Sequence, residues 1–133
     1  MNGSLLFWVY LTNAVILIVH EIDSAYWQEW KLLNPDDKNG INGFLLLHFP
    51  MIFVILLGLV YVYEDKYAGL IFSLILSASG LFAFFFHSYH LRKGRLEFNT
   101  VISKGIIIST LIISLFQIML TIKQMYNYIS VDN

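Results

Sequence analysis

The sequence has no cysteine among its 133 residues. This absence excludes disulfides, thiolate metal ligands and cysteine nucleophiles, and it leaves the redox compartment unreadable. Charge is also scarce: 13% of the residues are charged, whereas a soluble domain has about 25%. The net charge is −1, so there is no excess of basic charge of the kind that binds nucleic acid. We therefore expect no nucleic-acid partner.

Hydrophobic residues make up 58% of the chain and are gathered in four long runs. A helix needs roughly 20 apolar residues to cross a bilayer, and segments of this length can satisfy their backbone groups in lipid only as helices. The runs predict one domain over residues 1–133, with spans at about 5–24, 43–63, 68–88 and 101–122. We therefore expect an all-α integral membrane protein, a four-helix bundle with up-down-up-down topology. The first run lacks a basic leader and a cleavage site, so we expect a retained span.

Basic residues are unequally divided between the two ends of the predicted bundle. Six of them lie at the end that contains the first and third loops. The opposite end, with the short second loop and both termini, has only Lys66 and Lys123. By the positive-inside rule, the first and third loops lie in the cytoplasm and both termini lie outside. We expect a multi-pass protein of the inner (plasma) membrane. The basic residues of the first and third loops and the adjoining turn are Lys31, Lys38, Arg92, Lys93, Arg95 and Lys104.

All four histidines fall at one end of the predicted bundle, on the side assigned to the cytoplasm. His20 closes the first span, His48 lies near the start of the second, and His87 and His90 close the third. His20 and Asp23 are three residues apart, as are His87 and His90, and this spacing places both members on one helix face. Bundle metal sites are built from such pairs on facing helices. The predicted metal ligands are His20, Asp23, His48, His87 and His90.

Ligand type and helix geometry assign further roles around this site. Imidazole and carboxylate suit zinc, iron or manganese, and we favour zinc with iron as the second choice. Glu21 lies about 100° round the helix from His20, so we expect it to act beside the metal, either by orienting a ligand or as the general base. Glu29 falls on the far side of an ideal helix from His20 and is a weaker candidate, as are Glu97 and Asn99. The competing interpretation is an interfacial aromatic belt with solvated acids.

Polar and small residues also recur every three or four positions inside two of the spans. This spacing favours helix packing through small residues and interhelical hydrogen bonds over an ion path. The stripes are Thr110, Ser114, Gln117 and Thr121 in the last span and Ser73, Ser77, Gly80 and Phe84 in the third.

Three stretches carry a resemblance to a known group of proteins: HEIDSAYWQEW at the end of the first span, LLLHFP opening the second, and the histidine-bearing end of the third. They resemble small bacterial four-helix membrane proteins of unknown function with an H-E-[LI]-D motif, and are similar to the HxxEE-type membrane proteins. Asp23 fills the first acidic position of HxxEE, and Ser24 stands at the second. The resemblance implies a bacterial membrane protein with its site at this end, and no particular reaction. It rests on His20, Glu21, Asp23, Trp27, Glu29, Trp30, His48 and Pro50.

These features favour a metal-dependent enzyme with its site at the cytoplasmic membrane boundary. A hydrolase acting on a lipid or other amphiphile is the preferred form, and iron-dependent oxidation of lipid is less favoured. One alternative is a non-catalytic metal or haem binding or transport protein, with His48 and His87 as axial haem ligands. Another is a structural or regulatory subunit of a larger membrane complex. The expected partners are the bilayer and a lipid substrate, and a homo-oligomer is compatible with the sequence.

Overall fold

A computed structural model describes residues 3–131 of the chain, with side-chain environments for residues 5–130. Within that range all regular structure is helical, so the prediction of an all-α four-helix bundle is confirmed. The structure adds one short helix, α2, in the loop after the first span. The helices are α1 (Gly3–Tyr26), α2 (Trp30–Leu33), α3 (Gly40–Tyr63), α4 (Tyr67–Arg92) and α5 (Val101–Val131).

The four long helices are apolar enough to cross a membrane, which indicates a membrane protein. Their candidate spans are Leu5–Tyr26, Gly40–Tyr63, Tyr67–Arg92 and Val101–Ser130. Large hydrophobic side chains cover much of the outer surface, as a protein surrounded by lipid tails requires; examples on α3 are Leu46 and Phe53. A helix bonds nearly all of its interior backbone groups within itself, which is the condition for crossing hydrocarbon.

Helices α1 and α4 meet through the centre of the bundle. Helix α1 contacts α3, α4 and α5, and α4 in turn contacts α3 and α5. The close packing depends on small residues: a Cβ added to Gly80 on α4 would collide with Ser114 Oγ on α5. This diagonal contact between α1 and α4 brings residues from opposite corners of the bundle together.

The buried stripe on α1 follows helical periodicity from one end of the helix to the other. Its apolar part packs against Ile55 of α3 and Leu76 of α4, and its last members are polar. Since i, i+3 and i+4 positions share one helix face, the spacing that buries the apolar residues also buries His20. The stripe contains Leu6, Tyr10, Ala14, Leu17, His20 and Ser24.

A buried hydrogen-bond network joins α1, α4 and α5 in the middle of the bundle. Asn13 Nδ2 donates to Gln117 Oε1 at 2.8 Å and to Ser114 Oγ at 3.3 Å. Gln117 Nε2 donates to Ser73 Oγ at 2.9 Å, and the Ser73 and Thr121 hydroxyls are 2.7 Å apart. These side chains are fully buried. Their mutual pairing supports the helix-packing interpretation of the polar stripes.

Candidate metal centre

The centre of the site is a contact between two buried histidines. His20 on α1 is 2% exposed and His87 on α4 is 1% exposed. Their ring centroids lie 4.7 Å apart with the rings edge to face. The diagonal packing of α1 against α4 creates this contact, because each histidine occupies the buried stripe of its own helix.

Glu29 joins the two histidines because the chain reverses at the end of α1. Gln28 adopts a left-handed conformation with φ 56°. The Glu29 amide then bonds to the Ser24 carbonyl at 3.0 Å, and the Gln28 amide bonds to the Ala25 carbonyl at 3.3 Å. This pair of bonds is a Schellman motif, which usually has glycine at the left-handed position. The reversal carries the Glu29 side chain back over the end of α1.

The three side chains form a compact group of ligand-type atoms. One such atom from each of His20, Glu29 and His87 lies within 4.8 Å of the other two, and Glu29 Oε2 is 3.7 Å from His87 Nε2. His20 Nδ1, Glu29 Oε2 and both ring nitrogens of His87 are buried without a hydrogen-bond partner. Burial raises the pKa of the Glu29 carboxyl, because removal from water penalises the charged form. Buried polar atoms are nearly always paired, so such a group calls for a ligand that pairs them.

Phe98 closes the group from the loop before α5. Its ring centroid lies 4.1 Å from that of His87 and 6.3 Å from that of His20, and the residue is 1% exposed. Its backbone is left-handed, with φ 66°, a conformation that costs a non-glycine residue roughly 1–2 kcal/mol. Strained residues that persist in a fold cluster at functional sites, and two of them, Gln28 and Phe98, flank these histidines.

A second polar pair lies beside this group, between α1 and α3. Glu21 Oε2 is 2.8 Å from His48 Nε2, and the two side chains are 13% and 14% exposed. His48 Nδ1 donates to the Phe44 carbonyl at 2.6 Å, and its ring stacks on the Phe44 ring. Since Nδ1 carries a proton for that bond, the contact with Glu21 needs one further proton, held by either His48 Nε2 or the carboxyl group. The pair is therefore a proton-holding unit.

A cavity of about 740 Å³ adjoins both polar groups. Apolar side chains of α3 and α4 form much of its wall, and its polar residues are His20, Glu21, Glu29, Asn34, Asp37, Asn39, His48 and Ser79. A cavity that combines an apolar wall with convergent polar groups is typical of small-molecule sites.

The structure divides the ligands predicted from the sequence into two sets. His20 and His87 come together, with Glu29 as the third member. Asp23, His48 and His90 lie outside that group, and their roles as ligands stay predictions. Asp23 Oδ2 is buried without a partner. His48 pairs with Glu21, and His90 contacts the rings of Phe86 and Tyr89.

Two residues of the site were undervalued or missed in the sequence. Glu29 was a weaker candidate because its position relative to His20 was predicted for a continuous helix. No glycine marks the left-handed position at Gln28, so nothing in the sequence indicated that the helix ends there. Phe98 was missed because an aromatic residue in a basic loop has no distinguishing pattern. The WQEW segment, where polar residues interrupt the aromatic belt, was the available signal for a turn.

A comparison with known protein families gives one match. The family described as Family of unknown function (DUF6713) matches residues 6–124, so the chain belongs to it. This confirms a family of unknown function, while the H-E-[LI]-D motif and the relation to the HxxEE-type proteins stay predictions. No curated protein and no solved structure matches the chain.

Proposed function

We propose that this family member is an integral membrane protein that binds one divalent metal through His20, Glu29 and His87 and hydrolyses an amphiphilic substrate. The main support for this proposal is that ligand atoms of these three residues lie within 4.8 Å of one another, and most of them are buried without a hydrogen-bond partner. Two imidazoles and one carboxylate form a ligand set of catalytic zinc, and three protein ligands leave one position open. Zinc is favoured and iron is the second choice.

The neighbouring residues supply proton transfer. A divalent metal at this position would polarise a water molecule and lower its pKa towards neutrality. The Glu21–His48 pair lines the same cavity and holds one proton, so it can donate that proton to the leaving group as the substrate bond breaks. The proton that the attacking water releases then replaces the one donated. Water is the co-reactant, and its oxygen ends on the substrate's acyl or phosphoryl centre.

The position of the site supports an amphiphile as the substrate. The group lies at the end of the bundle formed by the ends of α1 and α4 and the start of α5, where lipid headgroups meet the protein. The cavity has polar groups at that end and apolar walls towards the interior. The positive-inside rule adds that this end faces the cytoplasm, with both termini outside, in a bacterial inner membrane.

The alternatives use the same residues differently. A haem held axially by His48 and His87 requires a free ring nitrogen on each, but both nitrogens of His48 are engaged, by Phe44 and Glu21. A purely structural subunit gives no reason to bury so many unpaired ligand atoms. A non-catalytic metal carrier shares the metal site but makes no use of the Glu21–His48 proton.

Metal analysis of the purified protein tests the proposal. We expect near-stoichiometric zinc or iron by mass spectrometry after loading, and a fall in affinity on the order of 100-fold or more in His20→Ala, His87→Ala and Glu29→Gln, since even groups that only orient ligands contribute 10–100-fold. The matched control is His90→Ala, a histidine three residues along the same helix, which should keep the metal.

Each other outcome has a definite meaning. Loss of metal in His90→Ala with retention in Glu29→Gln would replace this ligand set by the one predicted from the sequence. No binding under any loading condition would overturn the metal site, and a Soret absorption band would favour haem. Circular dichroism of each variant separates lost ligation from lost folding.

A further inference from the structure

A groove continues from the metal-site cavity along α3 and α4 towards the middle of the membrane. A second cavity, of about 390 Å³, adjoins the first. Four residues line both cavities, and we call the two cavities together the groove. The shared residues are Leu47, Met51, Ile75 and Ser79.

Two glycines allow α3 and α4 to pack closely in the half of the pair that adjoins their connecting turn. Beside their connecting turn, a Cβ on Gly69 would collide with the Tyr61 backbone, and one on Gly58 would collide with Phe72. Towards the site end, Pro50 lies inside α3 and in the groove wall. Proline removes the hydrogen bond to the carbonyl four residues back, so α3 lacks one backbone bond beside the groove. The larger of the two cavities lies at the end with Glu21 and His48.

The dimensions of the groove fit one lipid tail. Its α4 wall runs from Phe72 to Ala83, which at 1.5 Å per residue is about 16 Å. One leaflet of a bilayer with a hydrocarbon core of about 30 Å is about 15 Å deep. Both walls belong to spans that contact lipid, and lining residues such as Leu47 and Phe82 are 67% and 66% exposed. A tail can enter sideways from the bilayer.

The polar end of the groove fixes how an occupant would lie. Glu21 and His48 are at the mouth, largely buried, with Glu29 close by. At 1.5 Å per residue, His48 is about 12 Å from the first residue of α3, so an apolar chain in the groove places its polar linkage beside this pair. A protein partner helix would instead need a wholly apolar groove or matching polar side chains at this depth.

We propose that the groove between α3 and α4 binds one acyl chain of a membrane lipid and presents its headgroup linkage to the His20–Glu29–His87 group. This assignment names the substrate class of the proposed hydrolase and rests on that function, but chain binding itself needs neither metal nor turnover. The two proposals can therefore fail separately.

Photolabelling with a lysophospholipid that carries a diazirine on its acyl chain tests the assignment. Labelled peptides should map to groove residues of α3 and α4, such as Met51, Ile75 and Ser79. Val54→Phe fills the groove and should lower labelling roughly tenfold or more, since one methylene in an apolar pocket is worth 10–200-fold. Val60→Phe is the matched control, because Val60 lies on the same helix, exposed and outside the groove.

Labelling that is spread over lipid-facing residues of all four long helices, or equal labelling in Val54→Phe and Val60→Phe, would overturn the assignment. A dimer that dissociates in Val54→Phe during native mass spectrometry would assign the groove to a second copy of the chain. If the protein is labelled in the groove but binds no metal, the assignment of the groove to an acyl chain is supported and the metal-dependent hydrolase is rejected. If the protein binds metal but is not labelled in the groove, the metal site is supported and the acyl-chain assignment is rejected.

Discussion

Glu29 reaches back across the end of α1 to His87 of α4, with Oε2 3.7 Å from Nε2. Both atoms are buried, and neither has a hydrogen-bond partner. Glu29 lies in the turn after α1, and His87 lies in α4. The left-handed turn at Gln28 makes their approach possible. The consequences of this contact can be measured by changing Glu29 itself, the turn residue Gln28, and the neighbouring Glu21–His48 pair.

Shortening the carboxylate at residue 29 should weaken metal binding more than it weakens the fold. Glu29→Asp keeps the charge but withdraws the oxygen by one methylene, so we expect a loss of zinc affinity of about 10–100-fold, the range for disturbed ligand orientation. Isothermal titration with zinc measures the change. Glu97→Asp in the basic loop is the control and should bind zinc normally. Equal losses in both would remove Glu29 from the ligand set.

The backbone at Gln28 should control metal affinity through the position of Glu29. Gln28→Gly relieves a left-handed conformation that costs roughly 1–2 kcal/mol, so the free energy of unfolding should rise or stay level. Gln28→Val should lower both stability and metal affinity, because a β-branched residue resists positive φ. Denaturant titration and metal titration measure the two effects.

The control for this turn is Asp65, which has φ 55° in the α3–α4 connection. Asp65→Val should destabilise the protein in the same way without changing metal affinity, since that turn lies at the other end of the bundle. If Asp65→Val and Gln28→Val reduce metal affinity equally, the effect is global and the local argument is wrong.

The Glu21–His48 contact should show strong coupling in a double-mutant cycle. Breaking a largely buried ion pair on one side leaves an unpaired group, so Glu21→Gln and His48→Ala should each lower the free energy of unfolding by about 3–5 kcal/mol. The double variant should lose less than the sum. Glu64→Gln, which breaks an exposed pair with Lys66, should leave stability unchanged. An additive result would show that the two side chains do not stabilise one another.

Removing Gln117 should test the central polar network. Gln117→Leu removes one hydrogen bond from the Asn13 amide and one from the Ser73 hydroxyl, and hydrogen bonds between membrane helices contribute about 1–2 kcal/mol. Unfolding of the detergent-solubilised protein should show a loss of that size with unchanged metal affinity. Leu115→Ala, at an exposed position on the same helix, serves as the control. An unaffected stability in Gln117→Leu would contradict a packing role.

Much of the fold follows from local physics. Long apolar runs in a chain with few charges can satisfy their backbone only as helices, and the helical spacing of Leu6, Tyr10, Ala14 and Leu17 identifies the buried face of α1. The same periodicity places His20 inside the bundle and His87 in the corresponding stripe of α4. These two ligand candidates could therefore be predicted from spacing alone.

The sequence by itself determined the helical membrane class and the end of the bundle where the histidines gather, because both depend on periodicity and alternation along one chain. The tertiary structure decided which histidines meet, because the diagonal contact of α1 with α4 depends on the packing of all four helices. It also brought Glu29, a weaker candidate in the sequence, into the group around His20 and His87, and it placed His48 with Glu21. Those choices depend on a left-handed residue and on small-residue contacts between helices, which no local pattern in the sequence encodes.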